Sequence, residues 1–431
     1  MSSGAASPFT LADEAIRCPQ HFFAEMRQEH PVYFEPLIGA WVVSRDADVR
    51  RVLKESAKYS NRRVTGPVYA RQMGDALRSL VASGQADPKL LARIERGAAK
   101  VLVDADAPAH RRQRASVAEY FAPGVVALLE PVVTSLADGL IDGLWDRALT
   151  PDGVDIASEF ARPLPMRVIG DQLGVGDGDL ADFYRWSDAF TAALGNHEHD
   201  DQGLLAILEA QAGFFEYFDR RLDALGAAEG DHLLAAVARA VDSDGTPLSR
   251  AEQLQMCSQF VVAGNETTAK TVAMAVRFLA TMPGLIDRVR GERAAVRRLI
   301  EETLRLESPT QGMFRQALVA VEVGGQPIPA GDHLFLAYAS ANRDPVRFGC
   351  PNDVDLERTQ PVVHLGFGAG EHFCLGAHLA RLETLVALER LVDRVERVEL
   401  VDAPEGWDRS YFIHGLSSLR VRFVPRDATA A

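Results

Sequence analysis

Ser249-Arg250-Ala251-Glu252 has the spacing of a capping box, where a serine and a glutamate three residues on satisfy each other's backbone N–H groups. A helix is therefore expected to start there, and Pro283-Gly284 marks its end. That interval of roughly 30 residues makes a helix of about 45 Å. A helix that long crosses the molecule, so the rest of the chain has to pack around it. Near its middle runs Phe260-Val261-Val262-Ala263-Gly264-Asn265-Glu266-Thr267-Thr268. Gly264 costs such a helix about 1 kcal/mol relative to alanine. A carboxylate and two threonines follow it inside an apolar run, and buried polar groups need partners. Glycine removes a side chain, so that a ligand can lie against the helix. Threonine competes for a backbone carbonyl and can open the ladder. Taken alone, the stretch is better read as a helix with one locally satisfied threonine.

A second stretch is more demanding: His364-Leu365-Gly366-Phe367-Gly368-Ala369-Gly370-Glu371-His372-Phe373-Cys374-Leu375-Gly376. Glycines 366, 368 and 370 permit a tight turn with positive φ and a close backbone approach to a flat partner. Cys374 is expected where a helix begins, and the free N–H groups there favour an easily ionised thiol. Structural zinc needs about four Cys or His ligands, usually paired at short spacing, and Cys374 has no such companion. An Fe–S cluster needs several cysteines, and Cys18, Cys257 and Cys350 share no ligand spacing with Cys374. A cysteine nucleophile stays open, with His364, His372 and His378 near in sequence. A haem iron with one axial thiolate needs a single cysteine and fits best.

Phe367-x-x-Gly370-x-His372-x-Cys374-x-Gly376 resembles the haem-binding signature of the cytochrome P-450 monooxygenases. The resemblance implies a mainly α fold with a smaller β region, a triangular helical prism around haem b, with Cys374 as the iron ligand. It also implies that Gly264, Phe367 and Gly376 lie against the haem and that His110, Arg114, Arg315 and His372 meet its propionates. His110 and Arg114 are four apart, so one helical face carries both. Arg111 and Arg112 are expected to be a solvated basic face, and such a face on the thiolate side suits an acidic electron donor. In the central helix, Glu266 and Thr267 match the family's acid and alcohol for oxygen activation. Glu302-x-x-Arg305 matches its buried structural pair. Phe260, Ala263, Thr310, Phe412 and Ile413 are candidate pocket residues by position, which points to a largely apolar substrate.

Composition bounds the rest. A formal net charge of −14 argues against nucleic acid as a partner. No run approaches the roughly 18 apolar residues of a membrane span. The N-terminus has no charged, then apolar, leader pattern, and four scattered cysteines suit a reducing cytoplasm. Residues 1–20 are expected to be loose, 21–424 to form one domain and 425–431 to be a tail. A hairpin is expected at Val32–Phe34 and Ala40–Ser44, and a short helix over Asp46–Lys54. Residues 61–101, broken by glycine and proline, resemble the family's variable segment over the haem, which helps choose the substrate, and read equally as an ordinary surface loop with a helical turn. The polar run 195–201, with His197 and His199, reads as a loop. The expected activity is insertion of one atom of O2 into a small molecule, with electrons from a separate ferredoxin and ferredoxin reductase, since little chain follows Cys374. A peroxide-driven peroxygenase and a non-catalytic haem-thiolate sensor are the alternatives.

Overall fold

In the computed structural model, which describes residues 6–85, 87–192, 200–225, 232–241, 245–358, 362–403 and 406–426, the long helix runs Arg250–Thr281. Ser249 Oγ accepts from the Glu252 N–H at 3.3 Å, and Glu252 Oε2 accepts from the Ser249 N–H at 2.9 Å. Its 32 residues span about 48 Å. The backbone turns extended at Met282, and Gly284 takes φ 72°. Helices Pro163–Gln172, Arg293–Glu307 and Ala377–Arg394 pack around it. Val261, Val272, Ala273, Leu299, Leu385 and Leu388 share its core.

The β region lies in small sheets. Strands Val32–Glu35 and Ala40–Val43 form the expected hairpin, with Phe34 opposite Trp41. Ala40–Val43 runs parallel to His333–Leu336, which continues antiparallel into Met313–Ala317 and then Tyr59–Ser60. Asp46–Lys54 is the helix its spacing predicts. A second sheet joins Val154–Asp155, Arg420–Pro425 and Val395–Leu400.

Three expectations give way here. The chain from Ala6 to Gln20 is packed, not loose. Phe9 is 2% exposed and meets the rings of Phe22, Phe335 and Tyr411 edge-on, and that aromatic burial outweighs the entropy of ordering a terminus. Residues 61–101 carry two helices, Pro67–Ala82 and Pro88–Glu95. Each opens on proline at its first turn, where the missing N–H costs nothing. Gly74 inside the first is tolerated because Leu80 packs against Leu204 and Leu208 of the helix Asp201–Leu225. At the other end Pro425 closes a strand and the Arg426 N–H bonds the Arg394 carbonyl at 3.1 Å, so the chain is tied beyond 424. Residues 427–431, and the run at 195–201 with His197 and His199 up to residue 199, lie outside the described residues. Among the described residues no single helix is long and apolar enough to cross a membrane.

Candidate functional site

The loop before Cys374 is shaped by two of its three glycines. Gly368 and Gly370 have φ 67° and 73°. A Cβ on Gly370 would stand 2.5 Å from the Leu53 carbonyl oxygen, so the loop and the helix Asp46–Lys54 can meet only at glycine. Gly366 does not take positive φ; a side chain there would press the Leu304 carbonyl and His364 at 3.0 Å. A Cβ on Gly376 would meet nothing within 4 Å, so protein packing gives no reason for a glycine there.

The helix after the loop starts at Ala377, three residues past Cys374, with Gly376 at its N-cap. The Cys374 N–H bonds the Phe367 carbonyl at 2.9 Å. Its half-buried thiol is pushed up by burial, although the Gly376 N–H, Arg114 and Arg381 act the other way. In the protein alone, desolvation outweighs the helix end that favours an ionised thiol. A cation against the sulfur would reverse that balance. Phe367 lies under Arg381, whose guanidinium carbon is 4.5 Å from the ring centre. Arg381 in turn grips Glu301 with two bonds of 2.6 and 2.9 Å, and Glu301 also meets His364 Nε2 at 3.1 Å. This Glu301–His364–Arg381 brace was missed in the sequence. Its one signal is a second glutamate beside Glu302.

Four basic side chains gather near the loop. His110 and His372 stack with ring centres 3.9 Å apart. Burial first, then His110 and Arg315, pushes His372 down to about 3. Burial also lowers His110, which is 1% exposed, against a pull from Glu371. Its Nδ1 lies buried with no partner at hydrogen-bond distance, Glu371 Oε1 standing 3.6 Å away. Arg315, 5% exposed, spends one N–H on the neighbouring Phe314 carbonyl at 2.7 Å, and burial lowers its pKa. Arg114 sits one turn after His110 on the helix Ala109–Ala118. Glu371, the carboxylate nearest this group, is engaged by exposed Arg111 at 2.7 Å. Arg112 is not a solvated cation as expected: it pairs with Glu252 of the capping box. A surface cleft of about 480 Å³ opens beside Lys54, His110, Arg111, Arg114 and Glu371.

On the central helix most residues from Thr268 to Leu279 are buried, yet Ala263 is exposed and Gly264 and Thr267 are half-buried. The nearest atom to a Cβ on Gly264 would be Ile169 Cγ1 at 3.9 Å, so no protein neighbour demands the glycine. Thr267 Oγ1 donates to the Ala263 carbonyl at 2.8 Å, the competing bond its position predicts. Glu266, 8% exposed, turns away from that face. Burial raises its pKa, Lys270 opposes this, and Asp408 adds to it. Lys270 Nζ is 3.7 Å from Glu266 and 2.7 Å from Asp408. Both partners were missed. Lys270 was findable as a lysine four residues after a glutamate in an apolar run, whereas Asp408 carries no such signal.

Glu302 and Arg305 are both fully buried and doubly bonded at 2.8 Å. Arg305 also donates to the carbonyls of Asn342, Pro351 and Asp353. Burial pushes Glu302 up, but Arg305, the Asp355 N–H and Arg358 together hold it low. Among the pocket candidates, Thr310 pairs with Ile413 across a β-bridge. Phe412 and Ile413 belong to the smaller aromatic core with Phe9, and Phe260 to the main one beside Phe121. Among the described residues no three His, Cys, Asp or Glu side chains gather as metal ligands.

A profile of the family described as Cytochrome P450 matches residues 216–404. The chain is 32% identical to Cytochrome P450 107B1 of Saccharopolyspora erythraea, over 98% of this chain and 99% of that one. It is 35% identical to the Cytochrome P450 monooxygenase PikC of Streptomyces venezuelae over 75% and 76% of the two. Among solved structures it is similar to CalO2, with a TM-score of 0.83, 28% identity and 98% and 100% coverage. Cytochrome P450 CYP109Q5 from Chondromyces apiculatus is similar too, with a TM-score of 0.80, 32% identity and 97% and 98% coverage.

Proposed function

The chain belongs to the cytochrome P450 family of haem b monooxygenases, and we propose that it inserts one oxygen atom from O2 into a largely apolar small molecule, by hydroxylation or epoxidation. Electrons come from a separate ferredoxin and ferredoxin reductase in the cytoplasm. Residues 21–424 act as one domain in this reading, with the packed residues 6–20 and the tied Pro425 and Arg426 added to it.

The observation that carries the reading is a charge imbalance. His110, Arg114, Arg315 and His372 collect on the Cys374 side of the molecule, and the carboxylate beside them is already paired with Arg111. Two arginines, one of them buried, beside two imidazoles whose charged forms burial disfavours, favour an anionic ligand with hydrogen-bonding capacity. His110 Nδ1, buried and unbonded, is a donor or acceptor awaiting a partner. Two propionates answer both conditions, so the residues present fit haem b. Cys374 would hold the iron, and Phe367, Gly376 and Gly264 would lie against the haem. When bound, the haem supplies oxygen activation, and a thiolate ligand favours O–O cleavage.

The chain's own work is to seat substrate, exclude water and move protons. Thr267 Oγ can accept and donate, so it holds a proton at the exposed stretch of the central helix. Glu266, on another face, relays protons from outside rather than touching the reacting atoms. Phe260, Ala263, Phe412 and Ile413, with the polar Thr310 among them, line the substrate seat in this reading. The electron donor docks over the cleft beside Lys54, Arg111 and Arg114.

The test is the reduced carbonyl spectrum, followed by a product assay under isotopically labelled O2. Wild type should show the thiolate-shifted Soret band, and Cys374→His should lose it while keeping some haem. A band that survives in Cys374→His overturns the ligand. Product formed with hydrogen peroxide alone, at the full rate, favours a peroxygenase instead.

A further inference from the structure

Lys270 lies in the buried middle of the central helix, its side chain 9% exposed. It is held from three directions. Its Nζ is 2.7 Å from Asp408, donates to the Leu416 carbonyl at 3.2 Å, and stands 3.7 Å from Glu266 one turn back. Asp408 and Leu416 lie on the two arms of one segment. Trp407 pairs with Leu416, and the Asp408 N–H bonds the Gly415 carbonyl at 3.1 Å. Ser410 Oγ accepts from the N–H groups of Phe412 and Ile413 at 3.0 Å, closing the tip between the arms. A Cβ on Gly415 would stand 2.6 Å from Lys270 Cδ, so the segment rests directly on the lysine stem.

The charges around Glu266 come from four elements. Lys270 shares its helix, Asp408 belongs to the segment, Arg162 precedes the helix Pro163–Gln172, and Asp188 lies on the helix Leu180–Ala192. Arg162 and Asp188 pair with each other. That leaves two carboxylates, Glu266 and Asp408, sharing one ammonium, and the nearer one is Asp408.

We propose that Lys270 is a positioning residue shared between Asp408 and Glu266, and that the seating of the 407–416 segment decides which carboxylate holds it. With the segment seated, Asp408 takes the lysine and Glu266 keeps a proton. With the segment displaced, Lys270 swings to Glu266 and favours its ionised form. The same segment carries Phe412 and Ile413, so a substrate that seats them also readies the acid. This rests on the proposed role of Glu266 as a proton relay.

The test reads the protonated carboxyl band of Glu266 by infrared difference spectroscopy across pH, identified by its loss in Glu266→Gln. It needs no turnover. In Asp408→Asn the lysine is released to Glu266, and the titration midpoint should fall by about one pH unit, the low end for gaining an opposite charge at contact. Gly415→Ala pushes the segment off the lysine and should lower the midpoint in the same direction. Lys270→Met should raise it. Asp408→Asn and Gly415→Ala keep the test decisive if Lys270→Met does not fold. A midpoint unchanged in Gly415→Ala while Asp408→Asn shifts it overturns the control by seating. One unchanged in Asp408→Asn overturns the sharing of Lys270. Undiminished turnover in Glu266→Gln with all these shifts present would instead remove the relay reading and leave the shared lysine standing.

Discussion

Replacing Glu302 by glutamine tests the pair that ties the helix Arg293–Glu307 to the chain ahead of the cysteine loop. Glu302 accepts four bonds: two from Arg305 at 2.8 Å, one from Arg358 at 3.0 Å and one from the Asp355 N–H at 2.9 Å. Glutamine keeps the shape but offers one carbonyl, and its NH2 faces other donors. Arg305 is then a guanidinium at 0% exposure with no carboxylate. Two charge-assisted bonds at about 1.5–3 kcal/mol each give a loss of about 3–6 kcal/mol. Breaking one partner of a buried pair gives about 3–5 kcal/mol. An expected loss of about 4 kcal/mol follows, close to a thousandfold in the folding constant. The damage should spread. Arg305 donates to the Asn342 carbonyl, and Asn342 Oδ1 accepts from the Leu365 N–H at 2.6 Å, inside the cysteine loop. Haem should therefore leave faster as well. The control is Glu357→Gln, whose partner Arg288 is 52% exposed and whose own side chain is 77% exposed, with an expected cost below about 1 kcal/mol. Urea unfolding of the two variants by far-UV circular dichroism makes the comparison. If Glu302→Gln falls within about 1 kcal/mol of Glu357→Gln, the buried pair does not hold this region.

Arg315→Ala should release haem about 10- to 100-fold faster, the worth of one charge-assisted bond of about 1.5–3 kcal/mol, whereas Arg111→Ala should change little because its side chain is 72% exposed. Haem transfer to an acceptor protein measures both, and equal rates would count against the propionate assignment. Thr267→Ala should leave substrate binding near wild type while product per NAD(P)H falls and hydrogen peroxide rises; undiminished coupling defeats its proposed role. Burial pushes Glu301 up, but bonds from Arg381 and His364 outweigh this and hold it at about 2 against 4.5 unfolded. A depressed carboxyl stabilises the fold above its unfolded value, so this contribution of about 3 kcal/mol is present above pH 4.5 and is lost as pH falls towards 2. Glu301→Gln should flatten the acid limb of a stability–pH curve in that window, and an unchanged limb would show that the brace adds no stability.

Much of this was legible because its causes are local. The capping box at Ser249 needs only residues three apart, and its two hydrogen bonds form as the spacing requires. The hairpin and the helix Asp46–Lys54 follow from alternation and turn residues in the same way. Cys374 and its glycines were legible through a spacing that matches a family signature. Residues 61–101 were not, because two prolines that look like breaks stand at helix starts, and because Leu80 finds its partners on Asp201–Leu225. Phe9 was misjudged for the same reason: its partners Phe335 and Tyr411 lie at the far end of the chain. Local patterns report helices and turns. They do not report which distant side chain will bury them.

The same limit separates the two sides of the site. On the Cys374 side, four basic groups lie together, the carboxylate beside His110 is already engaged by Arg111, and each of the four could be matched to the family by position. On the central-helix side, two carboxylates share one ammonium, and only Glu266 could be matched. In the proposed reading, Arg114 and Arg315 among two imidazoles would be met by an anion from outside the chain, such as the propionates. A surplus of buried carboxylates is relieved by a proton, which water supplies. In the proposed reading the first group would hold a cofactor and the second would hold protons. On the proposal above, Glu266 stores one only while Asp408 keeps the lysine. Control of proton supply would then lie outside the matched motifs, in a contact between Lys270 and a segment near the end of the chain.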